Sequence, residues 1–265
     1  MPEPTDTDSD PGRTWQRRLA RSWPLAPVAE LLRSLRTGQR PRVPLGWVRF
    51  GSLRRLRPIS DNWGFDRGGP VDRWYIEQFL ASHRKDIRGR VLEVGADRYA
   101  SRYGGKQITS LDILDIDAGN RSATIVADLG RPDTLPQDAF DCVIVTQTLH
   151  LVFDVQDAFR GVIGMLAPGG VALITVPGIT PIEPPATGAT WNWSLTGLSV
   201  RRILELCPGL ACVDVDVHGN LLVAIAFLQG LGAGELRSRE LQYHDPAYPL
   251  IVTARAVRSA SADGR

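Results

Sequence analysis

Val91-Leu92-Glu93-Val94-Gly95 is the stretch from which the fold is read. A parallel strand covered on both faces must be apolar on both, which Val91, Leu92 and Val94 satisfy. Glu93 inside the run needs a polar partner to tolerate burial. Gly95 lets the chain turn closely past a ligand. Asp112 follows about 20 residues later, the spacing at which a dinucleotide-type fold presents an acid to a ribose. Together they point to a nucleoside-containing ligand, although VLEVG alone equally suits an ordinary buried strand with one paired Glu. The next residues, Ala96-Asp97-Arg98-Tyr99, lack the second and third glycines of G-x-G-x-x-G, so a pyrophosphate loses its main support.

Downstream, strand patterns alternate with helix-sized segments, as an α/β doubly wound sheet requires. Ala123 to Leu129 is a short β-branched run closed by Asp128. Phe140 to Thr146 reads as a central strand leading into Gln147-Thr148-Leu149-His150-Leu151, at the end where open α/β sheets bind ligands. A helix over 155–166 carries Ala158, Val162, Ile163 and Leu166 on one face and is stopped by Pro168-Gly169-Gly170; Val171 to Pro177 is the fifth strand. Residues 178–196, with Pro181, Pro184, Pro185, Trp191 and Trp193, form a long irregular loop of the kind that is functional or mobile. Thr196 caps a helix to Leu206, and strands follow at 212–217 and 250–257.

An acid at Asp97, beside a helix N-terminus, repels phosphate but suits a cationic or zwitterionic ligand, and S-adenosylmethionine is one. At this point the chain resembles the class I S-adenosylmethionine-dependent methyltransferases. The resemblance implies a Rossmann-like α/β fold: a seven-stranded, mostly parallel sheet whose antiparallel last strand lies between the fifth and sixth, with helices on both faces. It also implies cofactor contacts from Glu93 and Gly95 in the first motif, Asp97 where a second glycine usually stands, Asp112 on the ribose hydroxyls, Asp128 on the adenine amino group, and Gln147 after the fourth strand. Asp128 equally reads as a turn or cap aspartate. Leu166-Ala167-Pro168-Gly169-Gly170 is similar to the turn before the fifth strand in these enzymes, and 221–230 is a helix by that analogy alone.

The segment Phe65-Asp66-Arg67-Gly68-Gly69-Pro70-Val71-Asp72-Arg73-Trp74-Tyr75-Ile76-Glu77-Gln78-Phe79-Leu80 resembles the stretch before the first strand in a narrower subset, associated with glycosyltransferases in bacterial glycan and secondary-metabolite pathways. Its second half reads as a helix begun by Pro70, with Ile76, Phe79 and Leu80 inward. Its first half has the composition of a pocket edge or lid. The resemblance implies an element that covers the cofactor, which makes Tyr75, Arg67 and Arg73 contacts for the cofactor's carboxylate or for substrate. Alternatively Asp66, Arg67, Asp72 and Arg73 pair among themselves. Trp191 and Trp193 can stack on a sugar or aromatic acceptor, or pack their loop onto the domain.

With 265 residues, 43% of them hydrophobic, the chain supports one sizeable core. Cys142, Cys207 and Cys212 form no C-x-x-C pair, so neither a disulfide framework nor a zinc site is indicated, and a reducing cytoplasm is expected. The apolar run from Leu221 to Leu228 is far short of a bilayer span, and Met1 to Gly12 is acidic, unlike a signal peptide, so a soluble protein is expected. Residues 1–60 hold twelve arginines against five acids. The reading is therefore a basic extension over 1–50, a catalytic domain over 51–258 and a disordered tail over 259–265. Met1 to Gly12 has too little apolar surface to offset chain entropy. A helix from Pro27 to Arg36 with Val28, Leu31, Leu32 and Leu35 on one face, beside Arg17, Arg18, Arg21, Arg33 and Arg36, suits an anionic membrane surface or an acidic protein partner. It equally suits a solvated arm whose leucines pack on the main domain.

Methyl transfer from a sulfonium is an in-line displacement, so holding donor and acceptor on one axis in a dry pocket can supply much of the acceleration. A hydroxyl acceptor also benefits from a base, and His150, after the fourth strand, is placed for that role or for packing beside the cofactor. The Asn/Asp-Pro-Pro-Tyr string of amino-methylating nucleic-acid enzymes is missing, which argues against a nucleic-acid substrate. The expected function is methyl transfer to oxygen of a small molecule or glycan, without a metal. The alternatives are a non-catalytic scaffold that keeps the fold in a glycosylation pathway, and a nicotinamide oxidoreductase, against which the missing glycines count.

Overall fold

Apolar residues two apart along one strand enter different cores from their neighbours, and this alternation builds the central sheet. The computed structural model describes residues 26–38, 43, 47–183 and 190–260. The chain divides into residues 1–56 and 57–265. The first unit contains helix α1, Ala26–Thr37, where the sequence predicts a helix over 27–36. The expectations for residues 1–25 and for most of the tail, 261–265, lie outside the described residues.

The second unit runs α2 (Val71–Ser82), β1 (Gly89–Val94), α3 (Ala100–Gly104), β2 (Ile108–Asp115), β3 (Ile125–Val126), β4 (Phe140–Thr146), α4 (Val155–Gly164), β5 (Leu166–Pro177), α5 (Gly197–Glu205), β6 (Leu210–His218), α6 (Leu221–Leu228), α7 (Ser238–Gln242) and β7 (Ile251–Arg258). Its seven strands form one sheet in the order β3-β2-β1-β4-β5-β7-β6. The strands from β3 through β5 pair in parallel, and β7 is antiparallel to both β5 and β6. This is the Rossmann-like arrangement expected, with the reversed last strand between the fifth and sixth.

Leu92, Val143 and Val145 join α4 and α5 in one core, while Val91, Cys142 and Ile144 join α2 and α3 on the opposite face. The period of two along buried strands thus assigns each residue to one of two layers. Thr196 caps α5 by accepting from Ser199 N at 3.1 Å while Ser199 Oγ accepts from Thr196 N at 2.9 Å. Asn220 caps α6 by accepting from Val223 N at 3.0 Å.

Three boundaries differ from the sequence reading. The helix begun at Val155 stops at Gly164, and Leu166 already pairs with Phe140, so Pro168-Gly169-Gly170 lie inside β5 at a register irregularity and do not terminate the helix. β3 is reduced to two residues. β2 extends three residues past Asp112, to Asp115.

The glycine-rich segment before α2 is a clasp. Pro70 bridges Gly232, and a Cβ on Gly232 would lie 1.9 Å from Arg67 O, so only glycine permits this approach. Arg67 Nε donates to Glu235 at 2.9 Å, and Ser60 Oγ donates to Asp66 at 2.5 Å. Asp66 and Arg67 thus find hydrogen-bond partners outside the segment, whereas Asp72 accepts from the neighbouring Arg73 N.

Candidate active site

Two cavities open at the carboxyl ends of the parallel strands, and Leu151 lines both. The larger, ≈ 740 Å³, is bordered by Gly95 after β1, Asp115 at the end of β2, Asp128 and Leu129 after β3, and Val152 and Asn192. Gly95 has φ 92°, open to glycine, and its N–H donates to Leu114 O at 2.8 Å, which draws the β1 turn toward β2. Asn120 Nδ2 reaches both Gly95 O, at 2.8 Å, and Asp115 Oδ2, at 2.6 Å. Glycine turn and acid are thereby held side by side.

That acid is Asp115, not Asp112. Asp112 lies inside β2, where it accepts from Arg90 Nε at 3.2 Å and from Thr124 Oγ1 at 2.9 Å. The run Asp112-Ile113-Leu114-Asp115-Ile116-Asp117 offers several acids, and alternation alone does not say where the strand ends. Asp128 lines the same cavity and also accepts from Gly130 N at 2.8 Å, the turn role that the sequence equally allowed.

Glu93 and Asp97 belong to the framework and line neither cavity. The buried Glu93 accepts from the backbone N–H groups of Arg98, Tyr99 and Ala100, at 3.2, 3.1 and 2.7 Å. These bonds supply the polar partner its burial demands, at the start of α3, where a negative charge is favoured. Burial pushes its carboxyl above the ordinary range, and the three amide bonds oppose that shift. Asp97 accepts from Ser101 N at 3.1 Å and Ser101 Oγ at 2.5 Å.

The smaller cavity, ≈ 220 Å³, brings together Arg73 from α2, Gln147 and His150 after β4, and Trp191 from the long loop, with Trp63 and Phe227 among its rings. Gln147, expected at the cofactor, lines this second cavity instead. Its φ of 50° is unusual for a non-glycine residue and its N–H donates to Thr175 O at 2.9 Å. His150 is 2% exposed, with its ring centroid 4.3 Å from that of Trp191. Its carbonyl accepts from the N–H groups of Asn192 and Trp193, both at 3.1 Å, which ties the long loop to the end of β4. Burial lowers its imidazole to about 4, so it is neutral at physiological pH. Arg73 NH1 donates to the Tyr99 hydroxyl at 2.7 Å, linking α2 to the loop that Glu93 organises. Asp72 accepts from Arg73 N at 2.8 Å, and burial raises its carboxyl.

Three expected site residues lie elsewhere. Tyr75 packs with Val71, Phe227 and Leu241, and its hydroxyl donates to Leu241 O at 2.7 Å. One helical position separates it from Trp74 and two from Arg73, which turns it to a different face of α2. Arg67 is committed to Glu235. Trp193 is 38% exposed, and its Nε1 donates to the carbonyls of Val152 and Phe153, both at 3.0 Å, so it anchors the loop. Asp115, Asn120 and Tyr99 were absent from the expected set. The spacing of twenty residues from Gly95 would have favoured Asp115, whereas no local signal marks Tyr99.

The larger cavity fits a nucleoside-bearing methyl donor. Its volume is in the range of small-ligand sites, the Asp115 carboxylate stands beside the Gly95 turn, and Gly95 leaves room for close approach. Residues 92–174 match the family described as "Methyltransferase domain". No curated protein matches the chain. Solved structures of similar fold include an S-adenosylmethionine-dependent methyltransferase from Mesorhizobium loti, at 20% identity, covering 72% of this chain and 99% of that one with a TM-score of 0.49. Another is a methyltransferase from Archaeoglobus fulgidus, at 14% identity, 69% and 94% coverage and a TM-score of 0.44. A third is the N-methyltransferase NodS from Bradyrhizobium japonicum WM9 in complex with S-adenosyl-l-homocysteine, at 13% identity, 77% and 95% coverage and a TM-score of 0.43. The matched residues run from β1 into β5, the parallel part of the sheet. Over residues 92–174 the chain is similar to a methyltransferase domain.

Proposed function

We propose that the enzyme methylates an oxygen of a small molecule or glycan whose reacting ring enters the ≈ 220 Å³ cavity beside the donor cleft. The observation that carries this reading is the adjacency of the two cavities across Leu151, one bearing the acid and glycine turn, the other rings and a neutral imidazole. Gly95, Asp115 and Asp128 would hold S-adenosylmethionine, which supplies an electrophilic methyl group when bound. Trp63, Trp191 and Phe227 then exclude water and position the acceptor, the contribution an in-line displacement needs most. His150 stands in its proton-accepting form across neutral pH and serves as the general base for the acceptor hydroxyl, weakened by the low basicity that burial imposes.

The segment from Phe65 to Leu80 supports placing the enzyme with the glycosyltransferase-associated subset, because Phe65, Pro70 and Arg73 border the acceptor cavity. The basic extension over 1–50 is the docking element for an anionic surface or acidic protein in this reading. Among the described residues no helix is long and apolar enough to cross a membrane. Three free cysteines favour a reducing cytoplasm.

Two measurements test the proposal. Calorimetry with S-adenosylmethionine and S-adenosylhomocysteine should show binding to the full chain, and failure of both refutes the donor site. Incubation with methyl-labelled S-adenosylmethionine and fractionated bacterial metabolites and glycans should label an oxygen; label found only on nitrogen or carbon refutes the acceptor assignment.

A further inference from the structure

The walls of the acceptor cavity hold a surplus of unpaired hydrogen-bond donors. Among the described residues, six buried side-chain nitrogen or oxygen atoms have no protein hydrogen-bond partner. Four belong to residues lining this one small cavity: Arg73 Nε, Gln147 Nε2, His150 Nδ1 and Trp191 Nε1. Guanidinium, amide and indole N–H groups can only donate. Buried polar groups in native proteins are nearly always paired, so a cluster of exceptions calls for an explanation. Gln147 adds an independent sign, since its positive φ is uncommon for a non-glycine residue and such backbone strain clusters at active sites and ligand clamps.

The acids of the cavity decide what kind of acceptor atom is wanted. Asp72 and Glu183 lie on the same walls as Arg73, so there is no surplus of positive charge to demand an anion. Recognition rests on oxygen lone pairs rather than on net charge. The rings of Trp63, Phe65, Trp191 and Phe227 favour a flat moiety. At ≈ 220 Å³ the cavity is smaller than a drug-sized site, so it encloses about one ring.

We propose that this donor cluster binds a planar oxo group, a carbonyl or carboxylate, carried by the ring of the methyl acceptor, so that preferred substrates are hydroxylated rings bearing C=O. The proposal rests on the reading of this cavity as the acceptor site. Arg73, Gln147 and Trp191 turn about their side-chain torsions to present their N–H groups to the incoming oxygen, and His150 remains beside the ring.

The test uses the full chain saturated with S-adenosylhomocysteine and three probes, 4-hydroxyacetophenone, 4-hydroxybenzoate and phenol, with affinities from saturation-transfer NMR titrations. Both oxo probes, or one of them, should bind at least about tenfold tighter than phenol, because a site built to hydrogen-bond a group discriminates against ligands lacking it. Gln147→Leu and Trp191→Phe should each erase several-fold of that advantage, read as the ratio of oxo-probe to phenol affinity within each variant. A stronger ketone identifies the neutral group, and a stronger benzoate the charged one. Equal affinity for all three probes, or binding of none, overturns the proposal. So does a loss of S-adenosylhomocysteine affinity in Arg73→Leu and Gln147→Leu with 5′-methylthioadenosine affinity retained, which would put the donors on the methyl donor's own carboxylate. If S-adenosylhomocysteine does not bind the wild-type chain, the methyl-transfer reading fails before any probe is added.

Discussion

His150 ties stability to pH in a way that can be worked out from its burial. Its imidazole is 2% exposed and packed against Trp191, and burial lowers it from 6.5 to about 4. In the unfolded chain the same group titrates near 6.5. Between these values the unfolded state binds a proton that the folded state refuses, so stability is intact above pH 6.5 and is lost as pH falls toward 4. At about 1.36 kcal/mol per pH unit, the interval corresponds to roughly 3 kcal/mol. The perturbation is His150→Phe, which keeps a ring beside Trp191 and removes the titrating group. Urea unfolding followed by tryptophan fluorescence, at intervals from pH 7.5 to 4, yields the stability of each protein. Acidic residues and His218, whose imidazole burial also lowers, contribute equally to both and cancel in the difference. Relative to the variant, the wild type should lose about 2.5 kcal/mol from pH 6.5 to 4 and only a few tenths from 7.5 to 6.5. A difference that stays constant across the whole range would refute a buried neutral imidazole, and with it the assignment of His150 as a base already deprotonated at neutral pH. The same assignment requires that kcat/KM show no acid limb from His150 between pH 5.5 and 8.

Asp115→Ala should weaken S-adenosylhomocysteine binding by at least about tenfold in calorimetry, the cost of losing a charged hydrogen-bond acceptor, while Asp112→Ala leaves that affinity within about twofold. Glu93→Ala strips three amide N–H groups of their acceptor and should destabilise the fold by about 3 kcal/mol or more, read as a lowered Tm in differential scanning calorimetry even without ligand. Arg67→Ala opens the clasp to Glu235 on the segment that carries Trp63 and Phe65. Steady-state kinetics should show a raised KM for the acceptor, with the KM for S-adenosylmethionine unchanged. Gly232→Ala places a Cβ against Arg67 O and should weaken the acceptor site in the same direction, checked by the same assay.

How far the sequence reached depends on whether a property is set by periodicity or by the aim of a side chain. The strands and their order were legible because burial on both faces leaves little choice of residue: Val91, Leu92, Val143, Ile144 and Val145 are all fully buried. The reversed last strand followed from the number of segments and from the family resemblance. Strand ends were less legible. Asp112 and Asp115 are three positions apart on one strand, and the choice between them depends on where hydrogen bonding with β1 stops, at Val94 opposite Leu114. The Pro-Gly-Gly string misled for a related reason: it signals an irregularity in the backbone, and a strand bulge satisfies that signal as well as a helix stop does.

Side-chain roles at the site were the least legible, and α2 shows why. Arg73 and Tyr75 are two residues apart on a helix, so about 200° of rotation separates them and they cannot serve the same ligand. The sequence offers both as polar groups ahead of the first strand. Only the packing of α2 decides, placing Ile76, Phe79 and Leu80 against one core and Val71 and Tyr75 against α6. Arg73 is left toward Tyr99 and the acceptor cavity. Glu93 reaches that cavity only through the same chain of contacts, since it organises the amides of the loop whose Tyr99 hydroxyl holds Arg73. Glu93 therefore stands one remove from the smaller cavity, behind the arginine on its wall. Glu93→Gln offers a direct check: the substituted side chain turns an amide N–H group toward the loop amides, so S-adenosylhomocysteine affinity and acceptor KM should both worsen, whereas Arg73→Lys should move the acceptor KM alone. An acceptor KM left unchanged by Glu93→Gln would break the link from Glu93 through Tyr99 to Arg73.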